Sequence, residues 1–184
     1  MRLKRPSKRF IFIVTGIVGI LIVISGEFLL HWQRSVLSFS TNPYGKVSSS
    51  YDSQLLPNRI SIENVGIDLD IEEGKIVGGI WQISGTTATH LNNSEVPGRS
   101  GNIVIYGHNL MSIFGKLVNI KKGDIVVIST RNGKGYQYKV TDILEVDPTD
   151  IGVVAPTNRE ELTVYTCTGF LDSKRLVVKA LPIR

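Results

Sequence analysis

The sequence predicts an all-β domain, either a barrel or a sandwich, that follows an apolar N-terminal segment. From Arg59 onward, short apolar runs recur and are separated by Gly, Pro, Asn and Asp. Many short strands with turn signals between them are typical of all-β sandwiches and barrels. Before this region, residues 10–26 run for 17 positions without a charge. A chain of 184 residues is long enough for one domain with a proper core.

Eight runs carry the strand signal, because apolar residues alternate or cluster in each and turn residues bound them. They are residues 59–63, 67–71, 76–83, 102–107, 124–130, 136–146, 161–166 and 175–181. The sequence R-N-G-K-G at 131–135 predicts a hairpin turn between the fifth and sixth runs. Only M-S-I-F-G-K-L-V at 111–118 suggests a helical turn within the domain.

The apolar segment predicts a transmembrane helix over residues 10–32, close to the roughly 20 apolar residues that span a bilayer. Five basic residues precede it: Arg2, Lys4, Arg5, Lys8 and Arg9. A basic cluster before a span predicts a cytoplasmic N-terminus. A cleaved signal peptide is the alternative, although S-V-L-S-F-S at 35–40 is a poor cleavage site.

This orientation divides the chain into four parts. They are a cytoplasmic basic tail at 1–9, the anchor at 10–32, a polar extracellular linker at 33–57 and the β domain at 58–184. The chain has 21 basic residues, and 16 of them follow residue 9, against 16 acidic residues. Because the domain itself carries no basic excess, the composition argues against a nucleic-acid-binding domain.

Three side chains at strand ends could perform acyl transfer. Cys167, the only cysteine, ends one predicted strand, Arg175 begins the next, and His108 follows the N-I-V-I-Y-G strand. A thiolate is a strong nucleophile, an imidazole protonates a leaving amine, and a guanidinium donates hydrogen bonds to an oxyanion. A lone cysteine forms no intramolecular disulfide, and outside the cytoplasm its thiol is exposed to oxidation.

The residues alone leave other interpretations open. Cysteine is among the most buried residue types, so Cys167 could be structural in a barrel that only binds peptide or glycan. A sulfur under packed hydrocarbon, or an imidazole and a guanidinium on opposite sides of the molecule, would contradict the catalytic interpretation. His90, in the loop-like stretch A-T-H-L-N-N-S, is the only rival of His108 for proton transfer. One cysteine and scattered histidines do not supply the four ligands of a closed zinc site, so no metal site is predicted.

Four stretches together resemble the sortases, the cysteine transpeptidases of Gram-positive-type cell surfaces. T-V-Y-T-C at 163–167 with R-L-V-V at 175–178 is similar to the family's cysteine strand and the arginine that begins its next strand. The other three are P-G-R-S-G-N-I-V-I-Y-G-H at 97–108, F-G-K-L-V-N-I-K-K-G-D at 114–124 and D-P-T-D-I-G-V-V-A-P-T at 147–157. They occur in the family's order and cover nearly the whole domain.

The resemblance implies a single eight-stranded β-barrel and a mechanism. Cys167 would attack a backbone carbonyl of an LPxTG-like sorting signal, His108 would move the protons, and Arg175 would hold the oxyanion. Thr166 would line the peptide groove, and Tyr106, where many members carry a small residue, would alter it. An amine of a cell-wall precursor or a pilin would resolve the thioester. The chemistry needs no cofactor, and the sequence does not show whether calcium activates the enzyme.

Overall fold

The computed structural model describes residues 8–35, 38–39 and 52–183. Residues 1–7 of the predicted basic tail at 1–9 and most of the predicted linker at 33–57 lie outside these residues. The chain divides into two compact units at Ser35 and Val36. The first contains one helix, and the second contains the β domain.

The first unit is helix α1, Lys8–Ser35, 28 residues long. The helix covers the whole of the predicted anchor at 10–32. Within the described residues, no helix satisfies the combined length and apolarity that crossing a bilayer requires.

The second unit contains ten strands, and eight of them form a closed barrel. Its ten strands are β1 Pro57–Ile62, β2 Ile67–Gly74, β3 Ile76–Val77, β4 Ile80–Trp81, β5 Ala88–Leu91, β6 Asn102–Tyr106, β7 Ile125–Thr130, β8 Gly135–Val146, β9 Glu161–Thr168 and β10 Lys174–Pro182. The order around the barrel is β1-β2-β5-β6-β9-β10-β8-β7, and β3 and β4 pair separately. A short 3-10 helix, Ser53–Leu55, precedes β1, and four more lie between strands, at Glu63–Val65, Gly115–Asn119, Ile151–Val154 and Phe170–Asp172.

Alternation along the strands buries apolar residues on both sides of β6, β9 and β10. One side faces the barrel interior, whose buried cluster includes Ile103, Leu162, Val164 and Val178. The other side carries a second cluster, which we call the outer-face cluster. Its members are Phe39, Trp81, Leu91, Val104, Tyr106, Val154, Tyr165, Cys167 and Val177. Cys167 therefore projects outward from the barrel, on the same side of β9 as Tyr165.

The predicted barrel is confirmed, but the set of strands that forms it differs from the prediction at two places. The run 76–83 was expected to be one strand, whereas Gly78 and Gly79, with φ of 60° and 80°, fold it into the β3–β4 hairpin outside the barrel. The stretch around His90, expected as a loop, is strand β5, parallel to β2 and antiparallel to β6. Both changes cancel in the count of eight.

The turn predictions for the domain hold. β7 and β8 pair as an antiparallel hairpin, and Gly133 in the turn has a φ of 80° that glycine adopts without strain. The helical turn expected at 111–118 is the 3-10 helix Gly115–Asn119. Strand β1 begins at Pro57, so the last residue of the predicted linker is already part of the barrel.

Candidate active site

Strand register makes Cys167 and Arg175 direct neighbours, and His108 lies just beyond the strand on the other side of β9. Cys167 and Arg175 are direct partners in the antiparallel β9–β10 pair. Tyr106 and Tyr165 are the last partners in the parallel β6–β9 pair, and His108 follows two residues after the end of β6. Adjacent strands are about 4.8 Å apart, and directly opposite residues share a face. The strand that carries Cys167, β9, therefore lies between β6, which leads to His108, and β10, which carries Arg175.

Cys167 is buried, with 4% of its surface exposed. Its neighbours in the outer-face cluster include Phe39 and Trp81, which come from outside the barrel strands. Burial raises the pKa of the thiol to about 12, although Arg175 lowers it and Asp172 adds a smaller rise. The sulfur does lie under hydrocarbon, as the binding-only alternative expects, but its partner on β10 is Arg175, whose charge acts on the thiol.

His108 is half-buried at the exit of β6. Gly107 before it is fixed twice, because its N–H donates to the Tyr165 carbonyl at 3.3 Å and its carbonyl accepts from the Thr166 hydroxyl at 2.8 Å. Burial lowers the pKa of His108 below its ordinary value, and the charge of Asp172 opposes that shift. At neutral pH the two shifts favour a neutral imidazole at His108 and a protonated thiol at Cys167.

Thr166 and Tyr106 were predicted to line the groove. Thr166 is 1% exposed and shares the interior side of β9 with Leu162 and Val164, so it acts on the site through Gly107 in this conformation. Tyr106 is fully buried, stacks on Tyr165 with ring centroids 5.3 Å apart, and donates its hydroxyl hydrogen to the Gln82 carbonyl. Direct contact of either residue with a peptide stays a prediction.

Arg175 is 2% exposed and is held at both ends of its guanidinium. Nη1 donates to the carbonyls of Asp172 and Lys174 at 3.0 and 2.9 Å. Nη2 donates to the carbonyl of Ser38 at 3.3 Å. The guanidinium of Arg175, which was predicted to bind a substrate oxygen, therefore donates one hydrogen bond to the main-chain carbonyl of Ser38.

Asp172 is a site residue that the sequence analysis missed. Its charge acts on both His108 and Cys167, and its carbonyl accepts from Arg175. Leu171 and Asp172 both have positive φ, 52° and 59°, in the short connection between β9 and β10. The short length of the β9–β10 connection could have indicated Asp172, because a carboxylate in so short a connection must lie near Cys167 and Arg175 at its two ends.

Three aromatic residues in the outer-face cluster that contains Cys167, namely Phe39, Trp81 and Tyr165, were also not predicted to be near the site. Phe39 packs edge-on against Tyr165 with centroids 5.1 Å apart and lies 5.9 Å from Trp81. Both Phe39 and Trp81 are 1% exposed. Nothing in their local sequence distinguishes them, since Phe39 lies in a polar linker and Trp81 in a two-residue strand.

His90, the rival for proton transfer, is away from this group. It is fully buried on β5, where Nε2 lies 3.0 Å from the Glu95 carbonyl and 3.2 Å from the Ser94 hydroxyl. Burial lowers its pKa to about 4. Among the described residues, no group of three or more His, Cys, Asp or Glu side chains is placed to hold a metal ion.

Comparison with known proteins gives one consistent family. The Sortase domain profile matches residues 60–183. Sortase A of Bacillus anthracis is 32% identical over 135 residues, 71% of this chain and 61% of that protein. Sortase A of Listeria monocytogenes is 26% identical over 125 residues, 66% of this chain and 54% of that protein. The chain therefore spans less than two thirds of the length of these two curated relatives.

Solved structures agree with the sequence matches. Sortase A from Corynebacterium diphtheriae superposes with a TM-score of 0.62 at 26% identity, covering 86% of this chain and 82% of that one. Sortase C of Streptococcus pneumoniae gives a TM-score of 0.64 at 25% identity, covering 80% and 79%.

Proposed function

The chain belongs to the sortase family, and on that premise we propose that it is a cysteine transpeptidase that anchors surface proteins. Its substrate is a protein carrying an LPxTG-like sorting signal, and its acceptor is an amine of a cell-wall precursor or a pilin. The observation that carries the proposal is the direct pairing of Cys167 with Arg175 on β9 and β10, with His108 two residues after the end of the adjacent strand β6. Membership of the family does not favour the binding-only alternative.

The reaction runs in two acyl-transfer steps. His108 takes the proton of the Cys167 thiol, the thiolate attacks the scissile carbonyl carbon, and Arg175 donates hydrogen bonds to the oxygen that becomes negative. As the C–N bond breaks, His108 gives a proton to the leaving amine, which leaves a thioester on Cys167. The incoming amine then attacks the thioester, His108 takes its proton, and the thiol is restored. No cofactor takes part in these steps.

The resting protonation states set a barrier that the bound substrate has to lower. Because burial raises the pKa of Cys167 and lowers that of His108, the thiolate–imidazolium pair is a minor form at neutral pH. Arg175 and Asp172 have opposite effects on the thiol, since the first stabilises the thiolate and the second destabilises it. Only molecules in the minor form are ready for attack.

We also propose the location of the enzyme from its sequence. Residues 10–32 act as a single-pass anchor, with the basic tail 1–9 in the cytoplasm and the linker 33–57 and the domain 58–184 outside the cell membrane. The support is the 17-residue uncharged run preceded by five basic residues. Cysteine labelling from outside intact cells, with single cysteines placed before and after the run, tests this orientation.

The function is tested with the full chain in a mild detergent, an LPxTG-type peptide and hydroxylamine as the acceptor. We expect a peptide hydroxamate by mass spectrometry, and we expect its loss in Cys167→Ala, His108→Gln and Arg175→Gln. Lys174→Ala, next to Arg175 but with an exposed side chain paired to Asp147, is the matched control and should keep the activity. Turnover that survives all three site substitutions would refute the proposal, and peptide binding without product would favour the alternative.

A further inference from the structure

The connection between β8 and β9, residues 147–160, packs against the outer face of the barrel. Its Val154 is fully buried in the outer-face cluster that contains Cys167, and Ile151 and Val153 pack against the same cluster. The position of this connection therefore bears on how a peptide is held near the thiol. Small shifts matter there, because a peptide carbonyl must approach the sulfur to within about 3–3.5 Å for attack.

Polar side-chain contacts join this connection to the barrel at more than one point. At its start, the Asp147 carboxylate pairs with Lys174 at 2.8 Å, but both side chains are exposed, and such pairs contribute little. Next to Val154, Nδ2 of Asn102 donates to the Ala155 carbonyl at 3.0 Å. Asn102 is 1% exposed, so water does not compete for this bond and it holds the connection more firmly than the pair at Asp147 does.

Asn102 belongs to a buried polar network on three adjacent strands. It is the register partner of Glu161 across the β6–β9 pair, and Thr163 is the partner of Lys179 across the β9–β10 pair. The Lys179 ammonium donates to the Glu161 carboxylate at 2.6 Å and to the Thr163 hydroxyl oxygen at 2.9 Å. The Thr163 hydroxyl in turn donates to Oδ1 of Asn102 at 2.6 Å. The four side chains form one continuous chain of hydrogen bonds.

The charge of Lys179 fixes the direction in which the Asn102 amide points. An ammonium group can only donate, so the Thr163 hydroxyl accepts from Lys179 and directs its own hydrogen to Asn102. Asn102 then presents its oxygen to Thr163, and its NH2 group faces the Ala155 carbonyl. The order of donors and acceptors thus leads from a buried charge to the main chain of the β8–β9 connection.

Stability alone does not account for this network. The side chains of Lys179 and Glu161 are only 14% and 11% exposed. Desolvation of such a pair roughly offsets its attraction, so an apolar pair of similar volume would stabilise the fold equally well. A directional chain of hydrogen bonds does what an apolar pair cannot, because it specifies one position for the segment that it binds.

We propose that Asn102 is a positioning residue for the transpeptidase reaction. Through the Ala155 carbonyl it fixes the β8–β9 connection against the outer-face cluster that contains Cys167, and Thr163 and Lys179 hold its amide in the required orientation. The inference rests on the proposed function. Without this hold, the connection shifts and the peptide binds less tightly, whereas the groups that perform the chemistry stay in place.

The first test separates binding from chemistry in the full chain. Asn102→Asp keeps the size of the side chain and the oxygen that accepts from Thr163 but loses the donor to Ala155. In the hydroxylamine assay, we expect KM for an LPxTG-type peptide to rise about tenfold and kcat to stay within about twofold, because only binding is weakened. Asn119→Asp makes the same change at an exposed position and should leave both constants unchanged.

The second test asks whether the hydroxyl of Thr163 is what orients Asn102. Thr163→Val keeps the shape of the side chain but removes the donor to Asn102, and it should raise KM about fivefold or more. Thr163→Ser keeps the hydroxyl and should restore KM to within about twofold of the parent value. A merely structural role of the side chain would not distinguish the two variants in this way, since serine also loses the buried methyl group.

The third test needs no substrate. Hydrogen exchange of the amides in residues 148–156 should be about tenfold or more faster in Asn102→Asp than in the parent, because the connection opens more often. The amides of the β7–β8 hairpin serve as the internal control and should exchange at the parent rate. A parent chain that forms no hydroxamate refutes the proposed function, and hydrogen exchange still decides whether Asn102 holds the connection.

Three results would overturn the inference. The first is a KM or an exchange rate at the parent value in an Asn102→Asp chain whose near-ultraviolet circular dichroism shows a folded barrel. The second is the same KM in Thr163→Ser and Thr163→Val. The third is loss of the barrel in both Asn102→Asp and Thr163→Val, which would assign the network to the stability of the fold.

Discussion

The barrel interior and the outer face of β6, β9 and β10 are both buried, but by different means. The interior is closed by strand side chains that cover one another all round the barrel. The outer face is closed by residues from outside the barrel, Phe39, Trp81 and Val154. Burial in the interior holds the fold together, whereas burial on the outer face also controls access to Cys167. The difference explains how a reactive thiol and a structural core occupy opposite sides of the same strands.

The largest expected effect concerns the barrel interior and the pH dependence of stability. His90 lies on the same side of β5 as Ala88, which belongs to the interior cluster. Its pKa is about 4 in the folded chain and 6.5 as the ordinary value. A folded pKa below the unfolded one contributes stability that is complete above pH 6.5 and is lost as the pH falls through 4. The difference corresponds to about 3 kcal/mol.

Urea unfolding of the parent and of His90→Gln at pH 7 and pH 4.5 checks this expectation. The parent should lose more free energy of unfolding between these pH values than the variant does, because the amide does not titrate. Carboxylates titrate in both proteins, so the difference between the two isolates His90. Equal losses would contradict the assigned cause.

The second expected effect compares the two sides directly, through neighbouring residues of β10. Val177 lies in the outer-face cluster and Val178 in the interior, and both are fully buried. Val178→Ala should lower the free energy of unfolding by about 2 kcal/mol, from two lost methyl groups and the cavity they leave. Val177→Ala should lower it less, because side chains from outside the barrel strands can shift into the gap, but should speed alkylation of Cys167.

Chemical denaturation and iodoacetamide labelling of the two variants test this pair. The substitution, the strand and the starting burial are the same, so only the side of the sheet differs. Faster labelling in Val178→Ala than in Val177→Ala would contradict the distinction between the two sides.

The sequence was sufficient for the interior and for the positions of the site residues along the strands. Alternation identified seven of the eight barrel strands within a few residues, because interior positions repeat with period two. His108, Cys167 and Arg175 were each expected at a strand end. That they belong to neighbouring strands was not derivable from spacing, since it depends on the parallel pairing of β6 with β9, which no local signal specifies.

The cover of the outer face could not be predicted for a physical reason. Phe39 is one apolar residue in a polar linker, and its burial depends entirely on long-range contacts with Tyr165 and Trp81. The four-residue strand β5 was missed because it contains His90 and is followed by two asparagines, which favour turns. Single apolar residues and short strands give no periodicity to detect.

The smallest expected effect concerns Asp172, the exposed carboxylate near the thiol. Asp172→Asn removes a charge that raises the pKa of both Cys167 and His108. Asparagine tolerates a φ of 59°, so the backbone carbonyl should still accept from Arg175. Alkylation of Cys167 at pH 7.5 should rise by about twofold to fivefold at low salt, because the thiolate fraction grows as its pKa falls.

Salt distinguishes charge from conformation as the cause. Since Asp172 is exposed, its effect should shrink toward zero in about 1 M salt, where the Debye length is roughly 3 Å. Asp142→Asn, which removes a carboxylate on β8 that is paired with Lys122, is the matched control and should not alter the alkylation rate. A rise in the alkylation rate of Asp172→Asn that persists in high salt would assign the effect to movement of the β9–β10 connection. Asp172 would then act on access to Cys167 and not through its charge.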